Sequence, residues 1–148
     1  ATTVSRTTAT PASKVPPATT VPAPCPMSEC NSWEIRPIGE VHREDEIQVI
    51  RVYPPFTDGL LRIDRAERLQ VLYWMHLLSE DDCAVLTAHP RGDRSRPRRG
   101  VFALRSPMRP NPIGSTVVEL VEVRDHDLVV RGLDARQGSP VVDIKIVS

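Results

Sequence analysis

Residues 116–133 read TVVELVEVRDHDLVVRGL, and in this stretch two valine-rich runs flank the charged segment Arg124-Asp125-His126-Asp127. Branched apolar side chains suit a pleated, half-buried strand, and aspartate tolerates the backbone angles of a tight turn. The stretch therefore predicts a β-hairpin. Short apolar runs separated by turn residues continue on both sides of it, with little helical periodicity.

The run 69–78 is the segment whose type is ambiguous. It fits either a buried strand or an amphipathic helix that begins at Asp64. Because it is apolar nearly all round and contains Tyr73 and Trp74, we favour the strand, and we place the only helical turn at 64–68. The predicted strands are 35–41, 47–53, 69–78, 83–89, 100–104, 116–123, 128–133 and 141–147. Eight short strands predict a mainly β fold, a single-sheet closed β-barrel that leaves no exposed edge.

The N-terminal part of the chain differs in composition from the rest. Residues 1–26 are mostly Thr, Ala, Pro, Ser and Val, and their prolines remove the backbone donors that helices and sheets need. We therefore predict a disordered leader at 1–33 and a single folded domain at 34–148. Cys25 and Cys30 lie in the leader without a second pair of ligands, so two flexible thiols are favoured over a structural zinc.

Composition excludes several classes of protein. Nineteen basic and nineteen acidic side chains cancel, so only a local patch would attract nucleic acid or a membrane. No apolar run is long enough for a membrane helix, and three cysteines without a CxxC pair favour a reducing cytoplasm. The motifs of dinucleotide binding, NTP hydrolysis, zinc proteolysis and common serine hydrolysis are absent from the sequence.

Residues 105–114 read RSPMRPNPIG, with three prolines that fix the backbone φ angle and stiffen the loop. Stiffness suits side chains that must be held for a ligand. Arg105 and Arg109 would offer planar forks to a carboxylate or phosphate, and Ser106 and Asn111 would contact a ribose or a base. The alternative is a rigid exposed loop that joins two strands.

Residues 89–99 contain five arginines within a loop that also holds two prolines and a glycine. Such a loop would neutralise RNA phosphates, or it would simply be solvated. The candidate RNA contacts are Arg94, Arg96, Arg98 and Arg99.

Residues 134–145 place Asp134, Asp143 and Lys145 around a Gly-Ser-Pro turn. Carboxylates near a turn suit a cofactor with a positive centre, and a surface turn with an Asp143–Lys145 ion pair is the simpler alternative. His76, like the other histidines outside these stretches, is isolated and is interpreted as a surface or packed residue rather than a ligand.

Taken together, these stretches resemble the TsaA-like, TrmO-type family of S-adenosyl-L-methionine-dependent methyltransferases. Characterised members of that family methylate the N6 nitrogen of threonylcarbamoyladenosine beside the tRNA anticodon. The matching segments are IRPIG at 35–39, YPPFTDGL at 53–60, LYW at 72–74, HPRGD at 89–93, GVFA at 100–103, the loop at 105–114 and the turn at 138–145. They occur in this order across nearly all of the chain after the leader.

The resemblance implies a β-barrel that binds S-adenosyl-L-methionine in a site built partly across a homodimer interface, with tRNA as the substrate and no metal. Carried over motif by motif, it implies cofactor contacts from Arg91, Phe102, Ala103, Arg105, Ser106, Arg109, Asn111, Asp134, Gly138, Ser139, Pro140 and Lys145. Asp143 would complete the site. Asp134 and Asp143 are the candidates for taking a proton from the methyl acceptor.

Three departures from the family pattern affect the substrate side of the expected pocket, namely Leu104, Ser115 and the pair Arg136-Gln137. The chain also ends at Ser148, so we expect it to lack the additional C-terminal domain of longer relatives. Three hypotheses follow. The leading one is a tRNA methyltransferase, the second is a methyltransferase that acts on a small molecule, and the third is a non-catalytic module that binds the cofactor or RNA.

Overall fold

The computed structural model describes residues 32–148. The predicted leader, including Cys25 and Cys30, therefore lies outside the described residues except for residues 32 and 33. No helix in this part of the chain is long and apolar enough to cross a membrane.

Strands dominate the structure. They are β1 (Gly39–Glu44), β2 (Ile47–Val52), β3 (Arg68–Trp74), β4 (Thr87–Ala88), β5 (Arg99–Gly100), β6 (Ile113–Arg124), β7 (Asp127–Arg131) and β8 (Pro140–Ile146). Six of them close into a barrel in the order β1-β2-β7-β6-β3-β8, and every pairing is antiparallel. The predicted mainly β fold is confirmed. The barrel has six strands rather than about eight, because β4 and β5 pair only with each other in a separate small sheet.

The predicted hairpin is confirmed as β6–β7. Its register pairs Arg124 with Asp127, and Asp125 takes the positive φ of 56° that the tight turn requires. Strand β6 is longer than expected because its first half pairs with β3 and its second half pairs with β7. This single strand therefore connects the hairpin to the rest of the barrel.

Apolar side chains from all six strands fill the interior of the barrel. Representative fully buried residues are Val41, Ile50, Leu69, Val118, Leu128 and Val141. Burying each side chain of this size contributes about 1.5–3 kcal/mol. The β1–β2 pairing also depends on Gly39, which pairs with Val52, because a Cβ at this position would lie 2.3 Å from the backbone oxygen of Arg51 on β2.

The run 69–78 is a strand as far as Trp74, which confirms the strand interpretation for most of its length. The sequence between β2 and β3 forms two 3-10 helices, Pro54–Leu60 and Ile63–Arg65, so the helical turn expected at 64–68 begins and ends earlier. After β3 the backbone N–H of Met75 donates to the carbonyl of Pro112 at 2.8 Å, and the chain leaves the sheet.

Two predicted strands are largely wrong. Residues 83–89 contribute only β4, because the preceding segment forms the short helix α1 (Glu80–Cys83). Ser79 caps this helix: its hydroxyl accepts from the Asp82 amide, and the Asp82 carboxylate accepts from the Ser79 amide. Residues 100–104 contribute one residue to β5 and then form the 3-10 helix Val101–Ala103.

Candidate functional site

A cleft of about 1000 Å³ opens beside β3 and β6. Three parts of the chain line it: the end of β3 with residues 75–78, the proline loop (residues 104–112) with the start of β6, and the crossover segment (residues 132–139). The crossover segment joins β7 to β8, which lie on opposite sides of the strand ring. It therefore passes across one end of the barrel.

Arg109 organises the proline loop from within. Its Nε donates to the carbonyl of Ser106 at 2.9 Å, and its Nη2 donates to the carbonyls of Val101 and Leu104 at 2.6 and 2.7 Å. The sequence interpretation assigned the guanidinium of Arg109 to a ligand. In the structure, two of its three nitrogens instead donate to carbonyls in and beside the loop, although the side chain still borders the cleft.

Arg105 borders the cleft with an exposed side chain. One of its N–H groups, on Nη2, donates to the backbone oxygen of Ser115 at 3.0 Å. A guanidinium carries five N–H donors, so most of the donors of this exposed side chain stay available for an anion. Ser106 also borders the cleft.

Side chains alternate along the crossover segment. Leu133 and Ala135 are buried in the barrel, whereas Asp134 and Arg136 are exposed and line the cleft. The alternation follows from an extended backbone, in which successive side chains point in opposite directions. Two charged groups of opposite sign thus face the cleft from one short piece of chain.

Polar side chains from two strands hold the crossover segment from the barrel side. Arg43 of β1 donates through Nη1 to the carbonyls of Leu133 and Ala135 at 3.2 and 2.7 Å. Gln48 of β2 is buried, and its side-chain oxygen accepts from the amide of Leu133 at 3.0 Å. These bonds satisfy backbone groups that have no strand partner at the end of the barrel.

Tyr73 of β3 holds the segment from the cleft side. Its hydroxyl donates to the backbone oxygen of Asp134 at 2.9 Å and lies 3.4 Å from the hydroxyl of Thr116. Tyr73 is paired with Gly114 in the β3–β6 ladder, and a Cβ at Gly114 would lie 2.3 Å from the tyrosine ring. The ring therefore needs glycine at this position.

The predicted Gly-Ser-Pro turn ends the crossover segment. Gly138 has a φ of +78°, and its amide donates to the carbonyl of Val41 at 2.7 Å. Ser139 is buried, borders the cleft and accepts from the amide of Val41 through its backbone oxygen. Gly138 and Pro140 do not border the cleft.

The aspartate and lysine predicted after this turn lie away from the cleft. Lys145 and Asp143 form an ion pair at 2.9 Å, as the simpler alternative expected. The second carboxylate oxygen of Asp143 accepts from the amide of Ile144 at 2.9 Å. Neither Asp143 nor Lys145 borders the cleft, whereas Asp134 does.

Four other predicted cofactor contacts are exposed and also lie away from the cleft: Arg91, Phe102, Ala103 and Asn111. Phe102 is 81% exposed. The structure thus brings together five of the predicted cofactor contacts. These are Arg105, Ser106, Arg109, Asp134 and Ser139.

Two of the arginines predicted to contact RNA are engaged within the β4–β5 region. Arg98 donates to the hydroxyl and the backbone oxygen of Thr87 at 2.6 and 3.0 Å, and Arg96 forms an ion pair with Asp93 at 3.3 Å. Hydrogen bonds from Ser95, with a smaller contribution from Arg96, hold the pKa of Asp93 below its usual value. The side chains of the other two, Arg94 and Arg99, are exposed and form no hydrogen bond or ion pair within residues 32–148.

His76 is the site residue that the sequence interpretation missed. It borders the cleft, and its Nδ1 is the one buried side-chain nitrogen or oxygen atom without a hydrogen-bond partner in the part of the chain that the structure describes. Buried polar atoms are nearly always paired, so this nitrogen is an exception among the described residues. No motif surrounds His76 in the sequence, and only the fold places it on the same cleft as Arg105 and Asp134.

Comparison with known proteins identifies the family. The family model of the tRNA-methyltransferase O N-terminal domain matches residues 28–147. A probable S-adenosyl-L-methionine-binding protein of Methanocaldococcus jannaschii is 37% identical over 117 residues, which cover 78% of this chain and 93% of that protein. An S-adenosyl-L-methionine-binding protein of Archaeoglobus fulgidus is 46% identical over 101 residues, which cover 68% of this chain and 69% of that protein.

Solved structures of TrmO share the fold. The match to TrmO from P. aeruginosa has a TM-score of 0.62 and 25% identity, and it covers 81% of this chain and 56% of that one. A second TrmO structure matches with a TM-score of 0.62 and 26% identity over 80% of this chain and 58% of its own. The matched region is thus little more than half of those longer chains. With its barrel, its cleft and this match over most of its length, the chain belongs to the tRNA-methyltransferase O N-terminal domain family.

Proposed function

We propose that this chain binds S-adenosyl-L-methionine in the cleft and transfers its methyl group to the N6 nitrogen of threonylcarbamoyladenosine in tRNA. The observation that carries the proposal is the convergence of Arg105, Asp134 and His76 on one cleft from three separate parts of the chain. The family match and the S-adenosyl-L-methionine-binding relatives support the same assignment.

The groups in the cleft fit this cofactor. Its amino-acid end carries a carboxylate, which suits the free N–H donors of Arg105. Its cationic groups suit the carboxylate of Asp134, and the imidazole of His76 borders the same cleft. When bound, the cofactor supplies a methyl group on a positively charged sulfur.

The main task of the protein is then to align the acceptor and exclude water. The proline loop suits this task because Arg109 fixes its carbonyls before any ligand arrives. The acceptor nitrogen must also lose a proton. Of the two aspartates considered for that role, only Asp134 borders the cleft.

We also propose that the site is completed in a homodimer. Arg91, Phe102, Ala103 and Asn111 are exposed and do not reach the cleft of their own chain, so a second copy would bring them to it. Val117, which also borders the cleft, and Val121 of β6 are exposed and offer apolar surface for such a contact. Sedimentation of the protein would test this proposal, and a monomer that binds the cofactor with full affinity would contradict it.

For tRNA, the structure favours Arg94 and Arg99 as phosphate contacts, because Arg96 and Arg98 already have partners within the chain. Binding through phosphates falls steeply as salt concentration rises. Replacing Arg94 and Arg99 by alanine should weaken tRNA binding and flatten its salt dependence. The matched control replaces Arg124 and Arg131, which also removes two exposed positive charges, one from each strand of the β6–β7 hairpin.

A small-molecule acceptor is the second candidate. It is favoured by the absence of net charge and by the internal pairing of Arg96 and Arg98, both of which weaken attraction to a polyanion. Asp134 and His76 would bind the cofactor in the same way in either case.

The experiment is transfer of labelled methyl from S-adenosyl-L-methionine to bulk tRNA isolated from cells that lack the modification, with cofactor binding measured by calorimetry. Label in the modified nucleoside supports the proposal. Cofactor binding without label in tRNA would direct the search to small-molecule acceptors. Binding without transfer to either class of acceptor would indicate a non-catalytic module.

A further inference from the structure

Among residues 32–148, Asp134 is the only acidic residue that borders the cleft, and the other charged lining residues are Arg105, Arg109 and Arg136. A cation that enters a cleft of this composition is attracted to the single carboxylate and repelled by the arginines. The side chain of Asp134 is exposed and forms no hydrogen bond or ion pair with any other described residue. Its charge is therefore available to a ligand.

The position of this carboxylate is set by Tyr73. The tyrosine is 5% exposed, and its hydroxyl donates to the backbone oxygen of Asp134 at 2.9 Å. Gly114 leaves the space that the ring occupies. Because the bond holds the backbone of Asp134 itself, it fixes the point from which the side chain extends into the cleft.

We infer that Tyr73 is a positioning residue, which holds the carboxylate of Asp134 toward the positive sulfur of the cofactor. This inference rests on the proposed function, since it requires S-adenosyl-L-methionine to occupy this cleft. It assigns Asp134 a role in charge recognition before the methyl group is transferred.

The test separates charge recognition from general support of the fold. S-adenosyl-L-methionine and its demethylated product S-adenosylhomocysteine differ in the charge on sulfur, so the ratio of their dissociation constants reports on the group that faces the sulfur. A residue with a merely structural role would weaken both ligands equally. The two constants would be measured by calorimetry for the wild type, Tyr73→Phe, Asp134→Asn and the control Tyr53→Phe.

Asp134→Asn should reduce the preference for the charged ligand by about fivefold, the upper range for an exposed ion pair. Tyr73→Phe keeps the ring and removes the hydroxyl, and it should reduce the preference by about two- to threefold, part of the effect of one hydrogen bond. Tyr53→Phe should leave it unchanged, because the hydroxyl of Tyr53 has no hydrogen-bond partner within the described residues and the side chain does not border the cleft.

An unchanged ratio in Asp134→Asn, with or without loss of methyl transfer, would overturn the assignment of Asp134 to the sulfur. Equal weakening of both ligands in Tyr73→Phe, or loss of its folding, would overturn the positioning role. Failure of the proposed function has a different signature, because the wild type would then bind neither ligand.

Discussion

The barrel and the segments that line its cleft are stabilised by different interactions. The barrel depends on apolar burial and on strand ladders, with residues such as Leu69 and Leu128 fully enclosed. The proline loop and the crossover segment have few ladder bonds, and their backbone groups are instead paired by side chains, above all Arg109 and Arg43. Truncating an apolar side chain should therefore damage the fold, whereas changing one of these polar side chains should damage the site.

The largest expected effect lies in the barrel. Leu69→Ala leaves a cavity among side chains from several strands and should lower the free energy of unfolding by about 2–5 kcal/mol, measured by denaturant titration. Leu61→Ala is the matched control, because Leu61 is 82% exposed and should change stability little. Equal effects of the two substitutions would contradict the core described here.

The second largest effect is expected in the proline loop, at Arg109. Arg109→Lys keeps the charge, but an ammonium cannot reproduce the planar fork that serves three carbonyls. Cofactor affinity should fall by about tenfold, while the free energy of unfolding should fall by only about 1–2 kcal/mol, the range for one or two lost hydrogen bonds. Calorimetry and denaturant titration of the same variant measure the two quantities. A loss of stability as large as that of Leu69→Ala would show that the loop is part of the core.

The third largest effect is expected in the crossover segment, which Arg43 holds in place. Arg43→Lys should lose at least one of the two bonds to the carbonyls of Leu133 and Ala135 and should lower cofactor affinity by about threefold, a part of the worth of one hydrogen bond. Arg51→Lys is the control, since Arg51 pairs with Asp127 on the surface away from the cleft. Unchanged affinity in Arg43→Lys would mean that the apolar residues of the segment alone hold it in place.

The smallest effect concerns the cap of α1 and depends on pH. Hydrogen bonds from the amide and hydroxyl of Ser79 hold the pKa of Asp82 below its usual value. A carboxyl whose pKa is lowered on folding contributes stability above its unfolded pKa and loses it as pH falls through the folded pKa. The difference in melting temperature between the wild type and Asp82→Ala should therefore be small near neutral pH and should vanish in acid. A difference that grows in acid would contradict this assignment.

The barrel and the cleft also differ in how far they could be predicted from the sequence. The β6–β7 hairpin and the strand at 69–74 were predictable because their signals are local, a turn between branched runs and an apolar run of strand type. Strands predicted at 83–89 and 100–104 failed because the Ser79 cap and a 3-10 helix outweighed short apolar stretches.

Some residues of the cleft could be predicted from the sequence and others could not. The stiff loop and the glycine turn were recognisable as sequence patterns, and five residues from them meet in the cleft. The inward role of Arg109 and the positions of His76 and Tyr73 depend on the β3–β6 register and on the path of the crossover segment. Contacts of this kind join residues that are distant in sequence, and no local pattern encodes them.

Calorimetric titration of S-adenosyl-L-methionine into the wild type and Arg105→Ala tests the central claim most directly, because the free donors of Arg105 are the cleft's clearest site for the ligand carboxylate. We expect the wild type to bind and the variant to bind about tenfold more weakly, the loss of a charge-assisted hydrogen bond. Arg124→Ala, which removes an equal charge far from the cleft, should bind like the wild type. Equal affinities in all three proteins, or no binding by the wild type, would contradict the assignment of the cofactor to this cleft.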